Sequence, residues 1–123
     1  MKTRRTNKKL ITLLLMLSML LSLVACSTKH EAVVPDKDPA KTVVDEAYTG
    51  DINKEKGVDS AQVNVQDGIA VATMLLNDEI SEEAGKKLAD KYAAQLKETY
   101  KDMRINVQAI KGGKNIANVI LEK

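Results

Sequence analysis

The sequence predicts an α+β domain with the element order ββαββ: a small, mainly antiparallel four-stranded sheet with one helix packed on a face. Three observations predict it. Residues 61–66 and 105–109 alternate apolar and polar side chains, and each run leads through a glycine turn into a second strand, apolar at nearly every position in 69–76, the pattern of a hairpin. Residues 79–100 between them repeat apolar residues at helical spacing. The chain divides into a leader, 1–25, a polar tether, 26–57, and the domain, 58–123.

The leader has a basic head, Lys2, Arg4, Arg5, Lys8 and Lys9, followed by a run of 16 residues from Leu10 to Ala25, interrupted only by Thr12, Ser18 and Ser22. A comfortable bilayer span needs about 20 apolar residues, so this run suits a secretory signal better than a permanent anchor. Arg4-Arg5 is followed by polar Thr6-Asn7-Lys8-Lys9, so the pair reads as ordinary head charge rather than a twin-arginine signal. The only cysteine, Cys26, sits where the apolar run ends. Leu23-Val24-Ala25-Cys26 resembles the lipobox of bacterial lipoproteins. That resemblance implies thioether attachment of a diacylglyceryl group to Cys26 and cleavage between Ala25 and Cys26. Two acyl chains hold a protein stably at a membrane where one does not.

Removing residues 1–25 discards 5 of the 19 basic residues and none of the 17 acidic ones, leaving a net charge of 14 − 17 = −3. A mature chain of that charge, with no sustained basic stripe, excludes a nucleic-acid partner as an expectation. With Cys26 modified, no thiol remains for a disulfide framework or a cysteine metal site.

From Ser27 to Gly57 the chain is polar and broken by Pro35 and Pro39, without a sustained hydrophobic period, which predicts a flexible tether. Asp38-Pro39-Ala40 offers a cap and a proline at the first helical position, so a short helix over about 39–48 is an option.

In the domain, Ala61 to Gln66 alternates, Asp67-Gly68 signals a turn, and Ile69 to Leu76 forms a second strand. Two registers are open. A two-residue turn at Asp67-Gly68 pairs Val65 with Ala70. A three-residue loop, Gln66-Asp67-Gly68, pairs Val65 with Ile69 and Val63 with Val71, and is favoured because it gathers the large β-branched residues. Helix 79–100 is capped by Asp78 or Ser81, with Glu79, Glu82 and Glu83 in its first turn and Lys97 and Lys101 near its end. Its apolar stripe comprises Ala84, Leu88, Tyr92, Leu96 and Tyr100, with Ala89 and Ala93 beside them. In the second hairpin a loop at Gly112-Gly113-Lys114 sets Ala109 opposite Ala117, Val107 opposite Val119 and Ile105 opposite Leu121. "VNVQ" at 63–66 returns as "INVQ" at 105–108, a faint internal duplication.

Candidate chemistry is sparse. His30, the only histidine, falls in the tether and lacks a positioned partner, so it reads as inert. Asp51-Ile52-Asn53-Lys54-Glu55 starts like a calcium loop, but Lys56 replaces the required glycine and Gln62 the closing glutamate. Lys111-Gly112-Gly113-Lys114 precedes a strand, whereas a phosphate loop precedes a helix. Ser60 and Ser81 have no base, and Glu82 and Glu83 diverge by about 100° on a helix. Tyr48, Tyr92 and Tyr100 are the only aromatic side chains, with no Trp or Phe, which disfavours sugar binding by stacking. No catalytic, cofactor or metal residue is expected, and no enzyme activity.

Val58-Asp59-Ser60-Ala61-Gln62-Val63-Asn64-Val65 followed by Ile69-Ala70-Val71-Ala72 resembles the YhcN/YlaJ-like sporulation lipoproteins. In that family a lipobox and polar tether precede a small domain with an Ala-x-Val-x-Val strand, a turn, an Ala-x-Val strand and a helix. The resemblance implies a spore or cell-envelope lipoprotein of a Gram-positive bacterium, with no catalytic residues to carry over. The expectation is a lipid-anchored module on the extracytoplasmic face of the cell membrane, structural or binding a protein partner through its sheet surface or edge, whose edge could also form a homodimer. Capture of a small ligand, or an accessory role in an envelope complex, is the alternative.

Overall fold

The computed structural model describes residues 30–123; the leader and Cys26, and hence the cleavage and lipidation sites, lie outside the described residues. The elements in chain order are β1 (Val43–Val44), α1 (Glu46–Asn53), β2 (Val58–Gln66), β3 (Ile69–Leu76), α2 (Glu82–Thr99), β4 (Arg104–Lys111) and β5 (Lys114–Leu121). The fold is α+β, as the sequence predicts, with five strands and two helices where four and one are expected.

The additional strand and helix come from the stretch assigned to the tether. Val43 and Val44 pair with Val65 and Asn64, and Asp45 then caps α1, its carboxylate accepting the Tyr48 N–H. The helix therefore starts at Glu46, beyond most of the 39–48 window. Tyr48 and Ile52 from α1 enter the core. A segment without hydrophobic period can still fold when two or three well-spaced large side chains find a core built by the rest of the chain.

The five strands lie in sequence order in one sheet. Both hairpins are antiparallel, and β3 pairs with β4 in parallel across the α2 crossover, so the centre of the sheet is a βαβ unit. Ser81 caps α2 through its side chain, which accepts the Ala84 N–H; Glu82 and Glu83 follow in the first turn and Lys97 lies in the last. Its buried stripe is Gly85, Leu88, Ala89, Tyr92, Ala93 and Leu96, while Ala84, expected in the stripe, is exposed.

The first hairpin corrects the favoured register. Val65 pairs with Ala70 and Val63 with Ala72, around the two-residue turn Asp67-Gly68. Both turn residues have positive φ, 43° and 74°, the requirement of a type I′ turn that an Asp-Gly dipeptide meets. Gathering the large residues is not what the core needs. Ala70 and Ala72 share it with the bulky Tyr48, Ile52, Tyr92 and Leu96 of the two helices, so β3 contributes small side chains there and turns Ile69 and Val71 to the other face. In the second hairpin Ala109–Ala117, Val107–Val119 and Ile105–Leu121 pair as expected. The turn itself is Gly112-Gly113 alone: Lys114 pairs with Lys111, and a bulge past Ala109 absorbs the extra residue.

The core lies between the sheet and the helical layer. Ala61, Val63, Val65, Met74, Ile105, Val107 and Ala109 fill it from below, and α1 and α2 close it from above. Among the described residues no helix crosses the opposite face.

Candidate functional site: the open face of the sheet

Side chains alternate along a strand, so residues between the core positions line the uncovered face in rows set by the register. Gln66, Ile69 and Arg104 form one row, and Asn64, Val71, Asn106 and Ile120 the next. Gln62, Thr73, Gln108 and Asn118 form the third. The central strand thus offers an apolar strip, Ile69, Val71 and Leu75 with Thr73 among them, and β2 and β4 flank it with carboxamides. The repeated tetrapeptide acquires a structural meaning: Val63/Val65 and Ile105/Val107 enter the core, while Asn64/Gln66 and Asn106/Gln108 stand on either side of β3. Leu75 and Ile120 are 44% and 41% exposed, large apolar side chains left in water on this face.

Two polar atoms stand out here. Arg104 Nε and Asn106 Oδ1 are buried side-chain atoms without a hydrogen-bond partner. Arg104 Nε is 3.3 Å from Glu122 Oε1, close enough for an ion pair but not aligned for a hydrogen bond. A buried polar atom left without a hydrogen bond costs about 1–3 kcal/mol. The two residues are neighbours in register on β4, on one face.

The arm before β1 walls one end of this surface. Gln66 Nε2 donates to the Pro39 carbonyl and the Thr42 hydroxyl donates to Gln66 Oε1, holding Pro39 and Thr42 over the β2–β3 end. Between them lies a shallow, open recess of about 420 Å³ lined by Pro39, Thr42, Asn64, Gln66, Asp67, Ile69 and Val71.

The titratable groups that meet one another lie on the helical side. His30 is not isolated as its tether position suggests: Nε2 is 2.6 Å from Asp51 Oδ2 and its ring packs 4.4 Å from that of Tyr48. The Val33 N–H donates to the Tyr100 hydroxyl, which donates to buried Asp45. Glu55 accepts from Lys91 and from the Tyr92 hydroxyl, and the Lys91 bond above all holds its carboxyl below the usual range. Burial first, and Glu55 second, pushes the Tyr92 hydroxyl well up. His30–Asp51 resembles the base and orienting acid of a hydrolase, but among the described residues no hydroxyl or thiol hydrogen-bonds His30.

The remaining sequence candidates have structural duties. Asp51, Ile52 and Asn53 end α1, with Ile52 in the core and Asn53 pairing with the Ala61 backbone through both ends of its amide. Ser81 is a helix cap, and Gly112-Gly113 is a hairpin turn. Among the described residues no group of three His, Cys, Asp or Glu is placed to hold a metal ion. No helix among them is long and apolar enough to cross a membrane. The sequence pointed to the sheet surface or edge without naming the residues that line it; the VNVQ/INVQ repeat was the signal that could have named them.

The chain matches no protein-family model, no curated protein and no solved structure.

Proposed function

We propose that this chain is a lipid-anchored, non-enzymatic module of a bacterial cell envelope that docks a protein partner on the open face of its sheet. The observation that carries the docking is the β3 apolar strip flanked by carboxamides, with Leu75 and Ile120 left exposed on the same face. Carboxamides both donate and accept, so they suit a peptide surface whose backbone does the same. An apolar centre with a polar rim is how protein interfaces are built. The anchoring rests on Leu23-Val24-Ala25-Cys26, and placement in a spore or Gram-positive cell envelope rests on the resemblance of residues 58–72 to the YhcN/YlaJ-like lipoproteins.

Photo-crosslinking in intact envelopes tests the docking. A photoreactive residue at Thr73 or Asn118, on the open face, is expected to give a discrete crosslinked species that Val71→Lys removes without lowering Tm. Crosslinks arising only from Ala94, on the exposed side of α2, would overturn it.

The second reading is capture of a small ligand, favoured by the recess beneath Pro39 and Thr42. It predicts that a small molecule raises Tm and that Asn64→Ala abolishes the rise, with no protein crosslinked.

A further inference from the structure

The position of His30, four residues past Cys26, decides which way the domain faces. His30 is fixed on the helical layer, bonded to Asp51 and packed at a tilt against the Tyr48 ring of α1, with a side chain only 15% exposed. Tyr48 reaches α2, its hydroxyl donating to the Gln95 carbonyl and meeting Thr99 Oγ1 at 2.7 Å. Val33 is then held by Tyr100 at the end of α2. Residues 30–33 therefore lie along the junction of the two helices, on the side of the molecule opposite the carboxamide face.

Only Ser27, Thr28 and Lys29 separate Cys26 from His30. Whatever their conformation, four Cα–Cα steps span at most about 14 Å. A helix with its side chains is about 10–12 Å across, so a leash of that length, starting on the helices, cannot pass around them and the sheet to bring the opposite face to its anchor.

We infer that the folded unit stands on the membrane on its helical layer and turns the open sheet face outward. This rests on the proposed membrane attachment through residues 1–26, and it holds whether the lipid on Cys26 or the apolar run itself does the fastening. On the helical layer it places against the lipid headgroups, α2 carries four acidic and four basic side chains and α1 adds Glu46 and Asp51, so covalent proximity rather than charge holds it there. Salt is expected to leave the arrangement unchanged. The docking face is thereby presented to partners in the envelope and kept from the lipid.

Depth-dependent quenching tests this on the full chain, expressed in bacteria and reconstituted in phosphatidylethanolamine/phosphatidylglycerol vesicles that carry a nitroxide on the headgroup. Lys54→Cys, one turn from Asp51, and Asn118→Cys, on the open face, each receive a fluorophore; both positions are exposed. Quenching at position 54 is expected to exceed that at 118 at least threefold, in low and high salt. Inserting 20 Gly/Ser residues after Ser27 is expected to abolish the difference. Equal quenching in the uninserted chain, or stronger quenching at 118, overturns the orientation. Failure of the chain to float with vesicles refutes instead the attachment on which it rests, and the orientation with it. Labelling of a parent chain without added cysteines reads whether Cys26 is free, which separates the lipid from the retained helix.

Discussion

Tyr100 donates its hydroxyl proton to Asp45 across 55 positions of sequence, joining the C-cap of α2 to the N-cap of α1. Asp45 is 1% exposed and is the sole buried charged or polar side chain among the described residues. Its carboxylate also accepts the Tyr48 N–H, and the Tyr100 oxygen accepts the Val33 N–H. One tyrosine thus ties together the arm, the short helix and the long one. Tyr100→Phe is expected to destabilise the fold by about 1.5–3 kcal/mol, since it strands a buried acceptor and a backbone donor. Denaturant unfolding of the soluble 27–123 chain reads the loss.

Burial is the first cause that raises the hydroxyls of Tyr48, Tyr92 and Tyr100 above their ordinary value near 10.0. Each folded value lies above the unfolded one, so the unfolded chain releases these protons first. The linked stability is complete below about pH 10 and declines as pH rises beyond it. The tyrosinate absorbance is expected to appear together with loss of the circular dichroism signal. A tyrosine titrating near pH 10 in the still-folded protein would contradict the burial.

Two glycines are expected to respond oppositely to alanine. Gly50, inside α1, has open space where a Cβ would sit, so Gly50→Ala should stabilise by about 0.5–1 kcal/mol. Gly57 has φ +83°, and a Cβ there would run into the Cβ and Cγ2 of Ile80. Gly57→Ala should destabilise by about 2 kcal/mol or more, through left-handed strain and overpacking. Thermal melts of the pair check both signs.

Cys26→Ser is expected to abolish incorporation of labelled palmitate and processing after Ala25. Should the processed, membrane-bound form persist with the substitution, acylation at this position is refuted.

Where sequence and structure agree, the reason is local chemistry. Asp67-Gly68 and Gly112-Gly113 allow the positive φ that a tight turn needs, and the spacing from Leu88 to Leu96 admits only a helix with one buried side. The register of β2–β3 depended on a distant fact, that the helices bring tyrosines and so need alanines beneath them. The helical role of 46–53 was hidden for a similar reason: Tyr48 and Ile52 are too few to make a period, and Asp45 reads as a tether acid until Tyr100 arrives beside it. The open face was legible as amides at alternate positions, but their convergence on one surface required the parallel β3–β4 pairing, which no local pattern encodes.

That pairing also governs how the chain comes together in time. Each hairpin closes over a few residues, whereas the edge of β3 stays vacant until β4, beyond the whole of α2, arrives to fill it. A chain stopped before residue 104 would carry a naked strand lined with alanine and methionine, prone to zip onto its neighbours. Synthesis must therefore run through β4, Arg104–Lys111, before the hairpin already made is safe from aggregation.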